Sequence, residues 1–244
     1  MRDHKSRVQR VNFLQVHRSN GKDNRNDMSM LAKALVRIGS GAADMEGMLE
    51  LPHAALGIVL FAHGSGSSRL SPRNNYVARV LREAGIGTLL LDLLTQDEER
   101  KRATRFDIAL LAARLRTAAD WLRTQDATMT LPLGLFGAST GAAAALRLAA
   151  DPGVNVAAVV SRGGRPDLAG ADALRSVEAP VLLIVGGEDN GVIDLNRMAF
   201  EQLGSPKQLV IVPGATHLFE EPGTLEEVAR LAAEWFAGHF ARSA

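Results

Sequence analysis

Near the middle of the chain stands the stretch Leu135-Phe136-Gly137-Ala138-Ser139-Thr140-Gly141-Ala142. The run that leads into it, from residue 131, is apolar and favours a buried strand, whereas the run that follows, up to residue 150, is rich in alanine and favours a helix. A strand that turns directly into a helix strains its turn residue, so the positions two residues to either side need glycine. Gly137 and Gly141 meet this need. The pattern predicts a sharp turn that presents the Ser139 hydroxyl at the end of a strand.

Outward from this turn, short β-like runs alternate with helical stretches from about residue 33 onward. This alternation is typical of a mostly parallel sheet that is covered by helices on both faces. The predicted strands are residues 34–38, 45–51, 57–62, 88–93, 131–136, 156–160, 181–185 and 208–212. The predicted helices are residues 72–84, 106–124, 140–150, 193–203 and 225–240, and residues 96–105 are predicted to be a charged loop. Residues 161–180 leave no room for a separate cap domain between the sixth and seventh strands, so we predict an α/β fold with eight strands and no large cap.

Composition narrows the class of protein. Apolar residues make up 46% of the 244 residues and charged residues 23%, as is usual for globular proteins. The net charge of +1 suggests neither nucleic acid nor an anionic membrane as a partner, and the lack of cysteine excludes disulfides and a thiol nucleophile. No apolar run approaches the roughly 20 residues that cross a bilayer. We expect a cytoplasmic enzyme that needs no cofactor or metal.

The first thirty residues differ from the rest of the chain. They hold seven Lys or Arg residues against three Asp residues, and residues 19–27 are almost devoid of apolar side chains. Such composition favours disorder, and no apolar segment of a secretory signal is present. A basic arm for nucleic acid is the alternative. We expect residues 1–30 to be a disordered leader and residues 31–244 to be one catalytic domain.

A serine hydroxyl needs a base to become a nucleophile at neutral pH. Of the six histidines, His217 directly follows the last predicted strand, so it would share the carboxyl edge of the sheet with Ser139. The third member of such a site is an acid that orients the histidine. Asp189 follows the seventh strand and completes the order Ser, Asp, His, whereas Glu188 and Asp194 are competing candidates.

Two backbone N–H groups are expected to bind the oxyanion of an acyl-transfer reaction. The N–H of Thr140 begins the helix after the turn, and the N–H of Ser65 lies in the glycine- and serine-rich loop after the third strand, at residues 63–68. A phosphate-cradling loop is the rival interpretation, but no Gly-Lys-Ser/Thr follows. His63 is interpreted as a brace for this loop.

Several arginines fall where the substrate crevice is predicted. Arg69 and Arg73 follow the oxyanion loop, and Arg162 follows the sixth strand. Guanidinium groups bind carboxylates in a bidentate manner, so these three residues are candidates for recognition of an acidic substrate. The alternative is structural pairing, of Arg162 or Arg165 with Asp167 or Asp92. At this point both alternatives stand.

Three segments carry a family resemblance: Phe61-Ala62-His63-Gly64-Ser65-Gly66-Ser67-Ser68-Arg69, Phe136-Gly137-Ala138-Ser139-Thr140-Gly141 and Pro213-Gly214-Ala215-Thr216-His217-Leu218-Phe219. Over about residues 33–240, the chain closely resembles dienelactone-hydrolase-like members of the α/β-hydrolases. The resemblance implies the α/β-hydrolase fold and a hydrolase, and some similar bacterial sequences are fused to a phosphoribosyltransferase domain. True dienelactone hydrolases use a cysteine where this chain has Ser139, which favours general carboxylic esters over dienelactone.

The predicted function is hydrolysis of small carboxylic esters through an acyl-enzyme on Ser139. A thioesterase or an acyltransferase would use the same residues, and a ligand-binding protein could share the fold. A receptor, however, has no chemical need for serine, histidine and aspartate in this order.

Overall fold

The computed structural model describes residues 30–40 and 43–243. Within them, eight strands form one sheet in the order β1-β2-β4-β3-β5-β6-β7-β8. The strands are β1 (Met30–Ser40), β2 (Ala43–Pro52), β3 (Ile58–Ala62), β4 (Gly87–Leu91), β5 (Leu133–Ala138), β6 (Ala158–Arg162), β7 (Val181–Gly186) and β8 (Lys207–Val212). β2 pairs antiparallel with both β1 and β4, and all other pairings are parallel. The predicted α/β fold with a mostly parallel eight-stranded sheet is confirmed.

The helices connect the strands and cover both faces of the sheet. They are α1 (Pro72–Glu83), α2 (Gln96–Glu99), α3 (Arg102–Arg105), α4 (Ile108–Leu122), α5 (Thr140–Ala149), α6 (Ala171–Ser176), α7 (Asn190–Gln202) and α8 (Thr224–Ser243), with a 3-10 helix at Pro166–Ala169. Among these helices, none has both the length and the apolar content that a bilayer crossing requires.

The alternating side chains of the central strands feed two separate cores. In β3, Leu60 packs in the core that includes α4 and α5, whereas its neighbour Phe61 packs in the core that includes α1 and α8. Successive side chains of a strand point to opposite faces, so a strand covered on both sides must be apolar throughout. All five residues of β3 are buried accordingly. One core lies on each face of the sheet, and the loops lie at the carboxyl edge of its strands.

Parts of the fold differ from the sequence-based prediction. β1 and β2 extend further at both ends, because exposed polar residues such as Lys33 and Asp44 continue the pairing at this edge of the sheet. The charged segment after β4, predicted to be a loop, contains the one-turn helices α2 and α3. In α2, Thr95 accepts a hydrogen bond from the Glu98 N–H, and the Glu98 carboxylate accepts one from the Thr95 N–H. This reciprocal cap stabilises a helix start that hydrophobic patterning does not detect.

The predicted leader, residues 1–30, lies outside the described residues, apart from Met30 at the start of β1. Residues 41–42, between β1 and β2, also lie outside them.

Candidate active site

The turn at Ser139 joins β5 to α5 without an intervening loop. Ser139 has φ 51° and ψ −121°, a conformation that residues with a Cβ rarely adopt. A Cβ on Gly137 would lie 2.4 Å from the Ala142 Cα, and a Cβ on Gly141 would lie 2.1 Å from the Ala62 carbonyl oxygen. The close backbone approach therefore requires glycine at both positions and leaves Ser139 partly exposed at the carboxyl edge of the sheet.

The backbone of Ser139 is tied to the chain that leaves the neighbouring strand β6. Its N–H donates to the Arg162 carbonyl oxygen at 3.2 Å, and its own carbonyl oxygen accepts from the Arg165 N–H at 3.0 Å. Both the N–H and the carbonyl group of Ser139 are therefore hydrogen-bonded, which stabilises the strained turn.

His217 and Asp189 meet at the same edge of the sheet. Asp189 immediately precedes α7, its side chain makes no capping hydrogen bond to that helix, and its Oδ2 lies 2.6 Å from Nδ1 of His217, which follows β8. An ionised carboxylate only accepts hydrogen bonds, so Nδ1 is the donor and Nε2 carries the lone pair that can take a proton. The Asp189 side chain is 17% exposed and the His217 side chain 39% exposed, so the acid is sheltered while the base remains accessible.

The competing acids lie elsewhere. Asp194 accepts a hydrogen bond from Arg197 at 3.3 Å, one turn further along α7. The backbone of Glu188 donates to the Ala215 carbonyl oxygen, whereas no hydrogen bond joins its side chain to His217 among the described contacts. The structure thus brings Asp189, and neither competitor, against the histidine.

Gly163 connects the serine and histidine parts of the site. It follows Arg162, which binds the Ser139 N–H, and a Cβ on Gly163 would lie 3.1 Å from the His217 carbonyl oxygen. Phe219 lies in the loop that carries His217. Its side chain is buried, and its backbone has a φ of 55°. The buried ring anchors the loop of His217 in the core between α1 and α8. The β6 loop therefore contacts both Ser139, through Arg162, and His217, through Gly163.

The predicted oxyanion loop lies against the serine. A Cβ on Gly64 would lie 3.0 Å from the Ser139 Cβ, and the N–H of Ser65 donates to Thr140 Oγ1 at 3.0 Å. The Thr140 N–H is the first of α5 and has no partner within its helix. The link from Ser65 to the Thr140 side chain is a feature that sequence reasoning missed, because the two residues are 75 positions apart.

His63 holds this loop in place. Its Nε2 accepts from the Leu93 N–H at 2.9 Å, so the ring proton sits on Nδ1, which contacts the Gly64 carbonyl oxygen at 2.9 Å. With both nitrogens engaged and the side chain buried, His63 makes the contacts of a brace that joins the loop to the end of β4.

Two of the candidate arginines are paired inside the protein. The Arg69 guanidinium contacts both Asp92 and Glu46, and its backbone N–H donates to Asp92 as well. Arg165 makes a bidentate pair with Asp167 at 2.7 and 2.8 Å. Arg69, predicted to bind substrate, is instead positioned as a structural arginine, because its donors are already engaged by two internal carboxylates.

Arg162 differs from these two. It is 7% exposed, and neither its Nε nor its Nη1 has a hydrogen-bond partner among the described residues. Burial, and to a smaller extent the charge of Arg73, lowers the pKa of Arg162 to about 10. Arg73 itself donates to the exposed Glu220 at 3.1 Å. The carboxylates considered as partners of Arg162 pair with other arginines, so among the described residues this buried cation has no carboxylate partner, and its backbone carbonyl binds the Ser139 N–H.

A cavity of about 570 Å³ opens next to the oxyanion loop. Its lining includes Ser65, Arg73, Glu99, Arg100 and Arg105. The last three lie in the charged segment that was predicted to be a plain loop, so this cavity was not anticipated. The Thr95–Glu98 capping box is a sequence signal that could have indicated a helix there.

The site can be compared with known proteins now that its geometry is described. A family model for an alpha/beta hydrolase domain matches residues 55–234. A dienelactone hydrolase from Anabaena variabilis is 57% identical, with a TM-score of 0.83, over 86% of this chain and 99% of that one. Est1E from Butyrivibrio proteoclasticus shares the fold, with a TM-score of 0.73 and 17% identity over 85% of this chain and 99% of that one.

A relative from Mycobacterium tuberculosis, which carries the provisional name of a phosphoribosyl transferase, is 62% identical over 204 residues. The match covers 84% of this chain and 46% of the relative, so the chain spans about half the length of that relative. The matched family model covers residues 55–234, which include six of the eight strands, all except β1 and β2 at the start of the sheet. The chain belongs to the α/β-hydrolase family, and its fold is that of the dienelactone-hydrolase-like members.

Proposed function

We propose that this α/β hydrolase cleaves carboxylic esters through a covalent acyl-enzyme on Ser139. The observation that carries the proposal is the 2.6 Å contact between His217 Nδ1 and Asp189 Oδ2, at the sheet edge that also presents Ser139. A serine, a histidine and a partly buried acid in this relation form the arrangement that activates a hydroxyl for attack on a carbonyl.

In the proposed reaction, His217 Nε2 takes the Ser139 proton while the serine oxygen attacks the ester carbonyl carbon. The resulting tetrahedral intermediate carries its negative charge on the former carbonyl oxygen. Collapse of the intermediate breaks the bond to the alcohol, which leaves with the proton from His217. Water then repeats the sequence on the acyl-enzyme and releases the acid. Asp189 keeps the ring oriented and stabilises its charged form throughout.

The proposed oxyanion donors are the N–H groups of Thr140 and Ser65. The Thr140 N–H lies at the start of α5, where the helix dipole also favours negative charge. The Ser65 N–H is engaged by Thr140 Oγ1 at 3.0 Å, so an arriving oxyanion must share or replace that contact. The Ser65 N–H would then donate to the charged oxyanion instead of the neutral Thr140 hydroxyl, and hydrogen bonds to charged acceptors are stronger.

Arg73 and Arg162 are the proposed substrate-binding arginines, and Arg69 is not included because of its internal pairs. The unpaired Arg162 guanidinium favours an ester that bears an acidic group. The dienelactone hydrolase from Anabaena variabilis supports hydrolysis as the reaction. Serine at the nucleophile position favours general carboxylic esters over dienelactone.

Replacement of the nucleophile tests the proposal. Ser139→Ala should abolish hydrolysis of short acyl esters and prevent labelling by a fluorophosphonate, because no other described group takes the serine oxygen's place. The melting temperature should remain close to that of the parent, since the side chain is not part of either core. Hydrolysis within about tenfold of the parent rate, or about 1.4 kcal/mol, would exclude Ser139 as the nucleophile.

A further inference from the structure

The cavity lies beside the oxyanion loop, whose Gly64 packs against the proposed nucleophile. Ser65 lines the cavity, and the preceding residue, Gly64, is so close that a Cβ on it would lie 3.0 Å from the Ser139 Cβ. A volume of about 570 Å³ is within the range of small-molecule sites. A group in this cavity can therefore belong to the same molecule as an ester bound at Ser139.

The cavity carries more positive than negative charge. Three guanidinium groups line it, those of Arg73, Arg100 and Arg105, against the single carboxylate of Glu99. Arg105 has no ion-pair partner among residues 30–40 and 43–243, and its buried Nε has no acceptor there. The charge excess is therefore available to a ligand.

The partners of the other two arginines do not cancel this excess. Arg100 pairs with Asp97, whose side chain is 84% exposed, and Arg73 pairs with Glu220, whose side chain is 62% exposed. Solvent-exposed pairs contribute little and exchange readily. Behind Arg73, the buried Arg162 adds a cation that no described carboxylate compensates. Such a region favours a ligand with more than one negative charge.

Hydroxyl groups in the same lining are ready to donate. Ser68 Oγ accepts from the Leu70 N–H at 3.1 Å, and Ser71 Oγ accepts from the Asn74 N–H at 3.3 Å. Each hydroxyl keeps its own proton for another acceptor. A phosphate monoester offers three acceptor oxygens and nearly two negative charges, whereas a carboxylate offers two oxygens and one charge. The lining matches the phosphate in both respects.

We propose that this cavity binds a phosphate monoester group of the substrate, so that the molecule cleaved at Ser139 is a phosphorylated carboxylic ester. The phosphate contacts Arg105, Arg100 and Arg73, with Ser68 and Ser71 as further donors. The proposal rests on ester hydrolysis as the proposed function and assigns a substrate class to it.

The test compares esters that differ only in their end group. Three acetate esters of equal length carry a hydroxyl, a carboxylate or a phosphate at the far end of the alcohol, and a second series carries the same groups on the acyl side. We expect kcat/KM for the phosphate ester to exceed that for both others by about tenfold or more in one series, as suits charge-assisted hydrogen bonds.

Three single variants, two in the cavity and one control, test whether the cavity residues set the preference for the phosphate ester. Arg105→Gln should lower the ratio of kcat/KM between phosphate and hydroxyl ester by about tenfold. Glu99→Gln should raise the same ratio, because it removes the one carboxylate of the cavity. A merely disturbed loop would not move the ratio in opposite directions. Arg123→Gln is the matched control, since Arg123 is exposed, follows α4 and lies at the other end of the strands, and it should leave the ratio unchanged.

Equal rates for the three esters, or a preference for the carboxylate ester, would overturn the phosphate site, and so would a phosphate preference that survives Arg105→Gln. Calorimetric titration with inorganic phosphate separates this failure from failure of the proposed function. Phosphate binding that weakens in Arg105→Gln, in a protein that hydrolyses no ester, would keep the site and reject ester hydrolysis. Ester hydrolysis that stops in Ser139→Ala, with no preference for the phosphate ester and no phosphate binding, would keep ester hydrolysis and reject the phosphate site.

Discussion

Ser139, the proposed nucleophile, has a strained backbone conformation. A left-handed backbone conformation at a residue with a Cβ costs on the order of 1–3 kcal/mol. The hydrogen bonds to Arg162 and Arg165 offset part of that cost, and the glycines at 137 and 141 remove the clashes. As a result Ser139 stays in this conformation, partly exposed at the carboxyl edge of the sheet.

The role of the acid can be tested by a change that preserves shape. Asp189→Asn can present its NH₂ to His217 and thereby favour the wrong ring tautomer, so we expect kcat to fall by about 10⁴. The melting temperature should change little. Asp194→Asn, on the surface of α7, is the matched control and should hydrolyse esters at nearly the parent rate. A larger loss in Asp194→Asn than in Asp189→Asn would show that the acid has been assigned incorrectly.

At the scale of elements, the site depends on how closely α5 approaches the end of β3. Gly141→Ala would place a Cβ 2.1 Å from the Ala62 carbonyl oxygen, so β3 or α5 must shift. We expect a loss of about 1–3 kcal/mol in the free energy of unfolding, and a lower kcat because β3 leads into the oxyanion loop. Urea unfolding and ester hydrolysis check both effects.

Gly238→Ala provides the comparison. A Cβ at Gly238, inside α8, would meet nothing within 4 Å, so the substitution should stabilise the protein by about 0.5–1 kcal/mol. If the two alanine variants were equally stable, close contact at Gly141 would not be what requires glycine there.

The segment of α2 and α3, which contains Arg100 and Arg105, is held by an ion pair between Arg114 and Glu98 whose contribution depends on pH. Hydrogen bonds from Arg114, assisted by the backbone and hydroxyl of Thr95, lower the pKa of Glu98 to about 2. The carboxylate thus contributes stability above its ordinary pKa of 4.5, and the contribution is lost as the pH falls towards 2. We expect Glu98→Gln to cost about 2 kcal/mol at pH 6 and less at pH 3, measured by urea unfolding. A cost that stays constant over this range would contradict the ion-pair explanation.

The strands and longer helices could be predicted because apolar runs, and the glycines and prolines that bound them, are local properties of the sequence. The placement of Ser139, Asp189 and His217 at one edge followed from strand order alone. Pairing of the arginines could not be predicted in the same way. Arg69 finds Glu46 and Asp92, each 23 positions away, whereas Arg162 finds no carboxylate among the described residues. That distinction depends on tertiary neighbours, as does the bond from Ser65 to Thr140.

At the scale of the whole molecule, stability and chemistry occupy different regions. The two cores lie on the faces of the sheet, and the proposed catalytic residues lie at its carboxyl edge. A chain that begins at Met30 keeps all of β1 and both cores. We expect it to match the full chain in melting temperature and ester hydrolysis, because residues 1–29 have little apolar surface to bury. A marked fall in melting temperature on truncation would show that the leader packs on the domain.

The two hydrogen bonds that clamp the Ser139 backbone to Arg162 and Arg165 have a consequence for how this enzyme can be altered. Substitutions in the β6 loop that aim to change substrate choice will also move the nucleophile. The wall built from α2 and α3 has no such bond to Ser139 among the described contacts. New specificity is therefore more accessible through residues 96–105, and random libraries directed there should retain more active clones than libraries directed at residues 162–165.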